Sequence, residues 1–291
     1  MSSAWARKQV VQEWSVILGV YALLTILIWG LFGLDQGYWQ DEMYVLSLIQ
    51  RQDGFLAQLF TQVGTPTRIL MAVPFTLAQW SGAPLLVIQC IYGASWFCTG
   101  ILAHLLADRL FPGQLWLAYT AGSLTLTATS DFATNYIGMI SILISIAFYF
   151  GAVICLLTWW RNNRRSWIWG TAICLTLCVW MYDAALPAIL LTPGLLWALN
   201  DFQLNRRLIK ATILWYAPIV PYLIFFVSFL IGQAGYAGVA FVSMTPEERF
   251  QRIILLFVDN FTPWVWALGR KLWFLARSRC WLTTCDCFSR S

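Results

Sequence analysis

Long runs without charged side chains cover most of the chain and exclude most soluble folds. Only 11% of the 291 residues are charged and 60% are hydrophobic, whereas a soluble domain carries about 25% charged residues. A water-exposed fold cannot bury so much apolar surface, so the sequence predicts an integral membrane protein built from helices. The 18 tryptophans and 19 phenylalanines fit this prediction, because aromatic rings collect at membrane interfaces.

Helix-length apolar runs predict about seven membrane spans, which places the chain in the all-α class as a polytopic transmembrane bundle. A spanning helix needs about 20 mostly apolar residues. An eighth run, around residues 253–268, contains Asp259, Asn260 and Pro263, and its assignment as a span stays open. The seven predicted spans are residues 15–34, 84–106, 114–129, 132–160, 166–182, 184–199 and 211–231.

The segment between the first two predicted spans mixes charged and apolar residues over a length that predicts a large loop with surface helices. Residues 43–49 and 55–60 have the pattern of short amphipathic helices that lie on a membrane. Residues 68–80 are interpreted as a surface or partly embedded helix, because Pro74 and the break at residues 81–84 separate them from the next span.

Basic residues predict the orientation, because cytoplasmic loops carry an excess of Lys and Arg. With the N-terminus (residues 1–14) in the cytoplasm, residues 15–232 form the seven-span domain. Residues 233–291 then hold an outer amphipathic segment, the open eighth span and a polar, cysteine-rich tail. We expect a multi-pass protein of a bacterial plasma membrane. Its cytoplasmic loops would hold Arg109, Arg161, Arg164, Arg165, Arg206, Arg207 and Lys210.

Several acidic residues fall on the predicted outer face, where a carboxylate near lipid needs a reason to be there. Two carboxylates brought together at a low-dielectric boundary have raised or split pKa values. One of them can then act as a general base. Asp41, Glu42 and Asp131 are therefore the candidate catalytic residues. The alternatives stay open, since Asp41 and Glu42 can be solvated loop acids and Asp131 can cap a helix.

Two arginines in the first outer loop are candidates for phosphate binding, because a guanidinium pairs two phosphate oxygens at once. They are Arg51 and Arg68, and the alternative is a simple counter-ion for Asp41 or Asp53. The candidate substrate-binding set is completed by Tyr44 beside the acidic pair and by Asp183 at the outer end of the fifth span, although Asp183 can equally be a helix-end charge.

The order and sidedness of these motifs resemble the GT-C class of many-span glycosyltransferases, which includes protein O-mannosyltransferases and bacterial aminoarabinose transferases. Asp41-Glu42-Met43-Tyr44 resembles the first acidic motif of that class, and Ser130-Asp131 matches its second. Thr65-Pro66-Thr67-Arg68 stands where the class has a His-Pro-Pro element, here with one proline and no histidine. The resemblance covers about residues 10–230, and the polar tail from residue 277 predicts a truncated or altered C-terminus.

The resemblance implies transfer of a sugar, with inversion, from a polyprenyl-phosphate donor to a glycan, lipid or protein acceptor at the outer face. It implies Asp41 as base with Glu42 as substitute, Asp131 as a second acid, and Arg68 as partner of the leaving phosphate. No cofactor and no nucleic acid are expected; a divalent metal between the acids is compatible with this chemistry but not indicated. The alternatives are a transporter or lipid flippase, which usually carries mid-membrane charges and repeated halves, and a non-catalytic subunit or remnant.

Overall fold

The structure, a computed structural model, describes residues 3–32, 40–63, 68–127 and 140–232, together with Thr245 and Glu247. All regular structure within these ranges is helical, which confirms the predicted all-α class. The helices are α1 Ser3–Phe32, α2 Gln40–Gln50, α3 Phe55–Leu59, α4 Val73–Trp80, α5 Pro84–Leu110, α6 Leu115–Thr127, α7 Ile140–Asn162, α8 Ser166–Met181, α9 Leu186–Leu199, α10 Arg206–Tyr216 and α11 Val220–Gly232.

Three of the described helices are long and apolar enough to cross a membrane, namely α1, α5 and α7. Helices α10 and α11 pass the same test together but are bent by 47°, which gives up to four spans. Helices α8 and α9 are apolar but have only 16 and 14 residues. They therefore extend about 24 and 21 Å against a hydrocarbon core of about 30 Å. These helices mark a membrane protein, whereas the predicted seven crossings are not confirmed.

Two aromatic contacts define how α1 and α5 run relative to each other. Trp14 in the first half of α1 lies 6.1 Å, between ring centroids, from His104 near the end of α5. Trp29 in the last part of α1 stacks at 4.7 Å on Tyr92 in the first half of α5. Helices α1 and α5 are therefore antiparallel.

The contacts of α7 define two ends of the bundle. Arg109 at the end of α5 donates a hydrogen bond to Thr158 near the end of α7, so these helices are parallel. Ser145 near the start of α7 donates to the carbonyl of Tyr182, the residue that follows α8, so α7 and α8 are antiparallel. We call the end with Arg109 the basic end and the end with Tyr182 and Asp183 the Asp183 end.

Glycines allow close contacts between helices, as expected where lipid gives little hydrophobic drive for helices to associate. A Cβ added at Gly122 of α6 would collide with the ring and hydroxyl of Tyr21 and approach the carbonyl oxygen of Gly100 within 3.0 Å. A Cβ added at Gly100 of α5 would lie 2.6 Å from Cγ of Leu126. Side chains from α1 and α6 therefore occupy the space that these glycines leave.

A buried tryptophan compensates for a proline inside α9. Pro193 has no N–H, so the carbonyl of Ile189, four residues earlier, loses its helical donor. The indole nitrogen Nε1 of Trp215 on α10 donates to that carbonyl over 2.8 Å, and the Trp215 side chain is fully buried. This hydrogen bond joins α9 to α10 and satisfies a group that would be costly to leave unpaired.

Two sequence-based boundaries differ from the structure. The predicted helix over residues 68–80 begins only at Val73, because the residues before it form turns, and its Phe75 and Ala78 are buried. The predicted last span over residues 211–231 is two helices, because Pro218 and Pro221 interrupt the backbone hydrogen bonds between them.

The chain divides into two compact units, Met1–Val227 and Ser228–Ser291, and the contacts given above lie in the first. Among the sequence predictions, the junction before the fourth span and nearly all of the segment after residue 232 lie outside the described residues.

Candidate functional site

An ion pair joins two of the predicted site residues at the Asp183 end. Nη2 of Arg68 donates to Oδ1 of Asp183 over 2.9 Å, and the two side chains are only 24% and 22% exposed. Within the ranges that the structure describes, it is the only ion pair. Asp53, one of the two counter-ions suggested for Arg68 from the sequence, is exposed and does not pair with it.

The guanidinium of Arg68 also lies over an aromatic ring. Its Cζ is 4.0 Å from the ring centroid of Tyr182, a distance typical of a cation–π contact. Its Nε atom is buried and has no hydrogen-bond partner among the described residues. Asp183 thus engages one edge of the guanidinium and Tyr182 one face, while the N–H group on Nε remains without a described acceptor.

The segment after α8 is shaped to present Tyr182 and Asp183. Helix α8 ends at Met181 because Tyr182 is extended, with φ −162° and ψ 142°, and a 3-10 turn, Asp183–Ala185, follows. The buried hydroxyl of Ser145 on α7 donates to the Tyr182 carbonyl over 2.9 Å. This bond gives an acceptor outside regular helix its partner and fixes the turn against α7.

The backbone around Arg68 is fixed to the same turn. The N–H of Leu70 donates to the carbonyl of Trp180 over 3.1 Å, and the N–H of Met71 donates back to the carbonyl of Arg68 over 3.1 Å. The turn that precedes α4 is therefore attached to the end of α8 by its main chain as well as by the Arg68 side chain. Such support from both sides limits how far the guanidinium can move.

The structure does not place the other predicted site residues that it describes in contact with Arg68 and Asp183. Tyr44 and Arg51 are exposed, and neither makes a hydrogen bond or ion pair with Arg68 or Asp183. Asp41 and Glu42 are in the first turn of α2, but their side chains lie outside the described residues, as does the whole of Asp131.

Sequence reasoning missed two residues of this cluster. Tyr182 directly precedes Asp183 in the chain, so an aromatic neighbour of a membrane-level acid was a usable signal. Ser145 carries no such sequence signal, because the hydroxyl of a lone serine in an apolar helix usually bonds to a carbonyl of its own helix. Among the described residues no group of three or more His, Cys, Asp or Glu side chains is placed to hold a metal ion.

The single histidine lies away from this cluster, in the part of α5 nearer the basic end. His104 is buried, its Nδ1 is 2.8 Å from the hydroxyl of Tyr21, and rings of Trp14, Tyr21 and Tyr119 surround it. These contacts make it a packing and hydrogen-bonding residue of the bundle.

The fold and the cluster together define a helical membrane protein that holds one positively charged group rigidly at one end of its bundle. No protein-family model, curated protein or solved structure matches the chain.

Proposed function

We propose that this protein is a multi-pass membrane glycosyltransferase, which transfers a sugar from a polyprenyl-phosphate donor to an acceptor hydroxyl at the Asp183 end. The proposal rests on the contacts that the guanidinium of Arg68 makes. Asp183 and Tyr182 hold its guanidinium in place, and the N–H group on Nε has no described acceptor. A cation prepared in this way suits a phosphate oxygen.

The reaction needs few protein groups. The acceptor oxygen attacks C1 of the sugar from the face opposite the phosphate, and the new C–O bond forms as the C1–O bond to phosphate breaks. Asp41 takes the hydroxyl proton, with Glu42 beside it as substitute, and Asp131 orients the acceptor or the base. Polyprenyl phosphate leaves with the electron pair, so no general acid is required, and Arg68 stabilises its negative charge.

The antiparallel pairs α1–α5 and α7–α8, together with the parallel pair α5–α7, support a topology of seven passes. Helices α1, α5, α6, α7, α8 and α9 and the bent pair α10–α11 would each lead from one side of the membrane to the other. The basic end would face the cytoplasm, in agreement with its arginines. The Asp183 end would then face outward, where a lipid-linked donor presents its head while its tail stays in the bilayer.

A transporter or lipid flippase is the second candidate. The bend of 47° between α10 and α11 favours it, because transporters build binding sites from interrupted helices. The two candidates differ in product. A transferase releases polyprenyl phosphate and a glycosylated acceptor, whereas a flippase returns the donor intact on the other side.

Sugar transfer in membranes from cells expressing the protein tests the proposal. Membranes are incubated with radiolabelled polyprenyl-phosphate hexoses and pentoses, and the labelled acceptor is separated from the donor. We expect transfer by the wild type and a loss of at least about 100-fold for Asp41→Asn, because general-base catalysis contributes 10²–10⁴-fold. Asp53→Asn, an exposed acid of the same loop, is the matched control and should stay active. Equal rates for wild type and Asp41→Asn would exclude the assigned base, and donor movement without transfer would favour the flippase.

A further inference from the structure

A cleft at the basic end lies between three helices and is lined by several basic side chains. It lies where α7 ends and where α8 and α10 begin, and one part of it encloses about 410 Å³. That part is lined by Trp159, Asn163, Arg165, Ile168, Trp169 and Lys210.

A second, more open part of the same cleft has a volume of about 490 Å³ and shares Trp159, Asn163 and Lys210 with the first. Its other lining residues are Asn162 and three more cations, Arg161, Arg206 and Arg207, and none of them is acidic. Five positive side chains therefore face one cleft, although the excess of basic residues that orients a membrane protein requires only that they lie on one side.

Some of these cations are fixed and others have no partner. Arg207 donates to the carbonyl of Trp160 and lies 4.9 Å over its ring, and Arg161 donates to the carbonyl of Arg109. Arg165, Arg206 and Lys210 make no side-chain hydrogen bond or ion pair within the part of the chain that the structure describes. Like charges converging without a counter-ion repel one another, so the cleft favours an anion.

The remaining lining shows which kind of anion fits. Trp159 is buried in the floor, Ile168 adds an apolar wall, and Trp169 is 71% exposed beside them. An exposed tryptophan near the end of a membrane helix suits the level of the lipid headgroups. A ligand that matches both parts has a phosphate for the cations and an apolar body for the rings.

We propose that this cleft binds the phosphate headgroup of an anionic phospholipid from the adjacent leaflet. Basic pockets between membrane helices are suited to such headgroups. The phosphate would sit among Arg165, Arg206 and Lys210, and the start of the acyl chains would lie along Trp169. The proposal concerns the end of the bundle opposite to Arg68 and does not depend on the glycosyltransferase assignment.

Lipid retention tests the proposal. The full chain is purified from nanodiscs of phosphatidylcholine with phosphatidylglycerol, and bound lipid is counted by native mass spectrometry. We expect one phosphatidylglycerol to be retained by the wild type. Arg165→Gln and Lys210→Gln should each weaken binding about fivefold, which corresponds to about 1 kcal/mol per cation near the surface.

Arg164→Gln provides the matched control, because Arg164 lies in the same turn, is exposed and does not line the cleft. Equal losses for Arg164→Gln and Arg165→Gln would overturn the site and leave only diffuse surface charge. Retention of phosphatidylcholine as strong as that of phosphatidylglycerol would also overturn it. Thermal stabilisation by inorganic phosphate equal to that by the lipid would assign the cleft to a soluble anion instead. Unfolding temperatures of the variants in phosphatidylcholine alone separate lost binding from lost folding.

Discussion

Arg68 donates to Asp183 over 2.9 Å across 115 positions of sequence, and the ring of Tyr182 covers one face of the guanidinium. The pair joins the loop before α4 to the turn after α8, so two segments far apart in the chain meet at one charge. A half-buried pair of this kind is stronger than an exposed one, because solvent screens it less.

A double-mutant cycle on this pair measures its contribution. We expect Arg68→Gln and Asp183→Asn each to lower the free energy of unfolding, with a coupling of about 1–2 kcal/mol between them, since the pair lies between the exposed and buried limits. Chemical denaturation in detergent micelles provides the values. A coupling of zero would mean that the pair does not hold the two segments together.

Arg68→Lys separates charge from geometry. An ammonium keeps the charge but cannot stack on Tyr182 as a planar guanidinium does. We expect Arg68→Lys to recover less than half of the stability that Arg68→Gln loses, in the same denaturation experiment. Full recovery would show that the ring contact adds nothing.

The hydrogen bond from Trp215 to Ile189 should contribute more to the free energy of unfolding when Pro193 is present than when it is replaced. We expect Trp215→Phe to cost about 1–2 kcal/mol, since the Ile189 carbonyl then has no donor. In a Pro193→Ala background the alanine N–H can serve that carbonyl, so Trp215→Phe should cost about 1 kcal/mol less. Trp96→Phe, another buried tryptophan, controls for the change in volume. An equal cost of Trp215→Phe in both backgrounds would refute the compensation.

Gly122 should be intolerant of a methyl group. We expect Gly122→Ala to destabilise the bundle by about 1–3 kcal/mol, because the added Cβ collides with Tyr21 and the Gly100 carbonyl cannot retreat. Gly19→Ala on α1 is the matched control, since a Cβ there meets nothing within 4 Å. Thermal unfolding of the two variants gives the comparison, and a Gly122→Ala variant as stable as Gly19→Ala would show that the helices are packed less closely.

The helical content and the helix positions were largely predictable from the sequence. Apolar runs bounded by charged residues and Gly-Pro breaks indicate helices directly, and the bounds predicted for residues 166–182 agree with the helix α8, Ser166–Met181, although its length does not confirm a span. The last predicted span, residues 211–231, was expected to be one helix but is two helices with a bend between them. Pro218 and Pro221 lie inside one hydrophobic run, and hydrophobicity alone cannot show whether prolines bend a helix or end it.

The candidate site was only partly predictable. The expected topology put Arg68 and Asp183 on the same face, and the structure brings them into contact. The sequence could not single out Asp183 as the partner of Arg68, because pairing depends on how the turn after α8 folds. That turn is set by the extended Tyr182 and by Ser145, whose hydrogen bond is a tertiary contact without a local signature.

The affinity of the protein for polyprenyl monophosphate tests most directly whether Arg68 holds a lipid phosphate. It is measured in nanodiscs for the wild type, Arg68→Gln and Arg164→Gln, with the uncharged polyprenol as reference ligand. We expect the wild type to bind the phosphate more tightly than the alcohol. Arg68→Gln should lower the affinity for the phosphate at least about tenfold, since a hydrogen bond to a charged group is worth about 1.5–3 kcal/mol, while Arg164→Gln should change it little. Equal affinity for the phosphate in wild type and Arg68→Gln would contradict this role of Arg68.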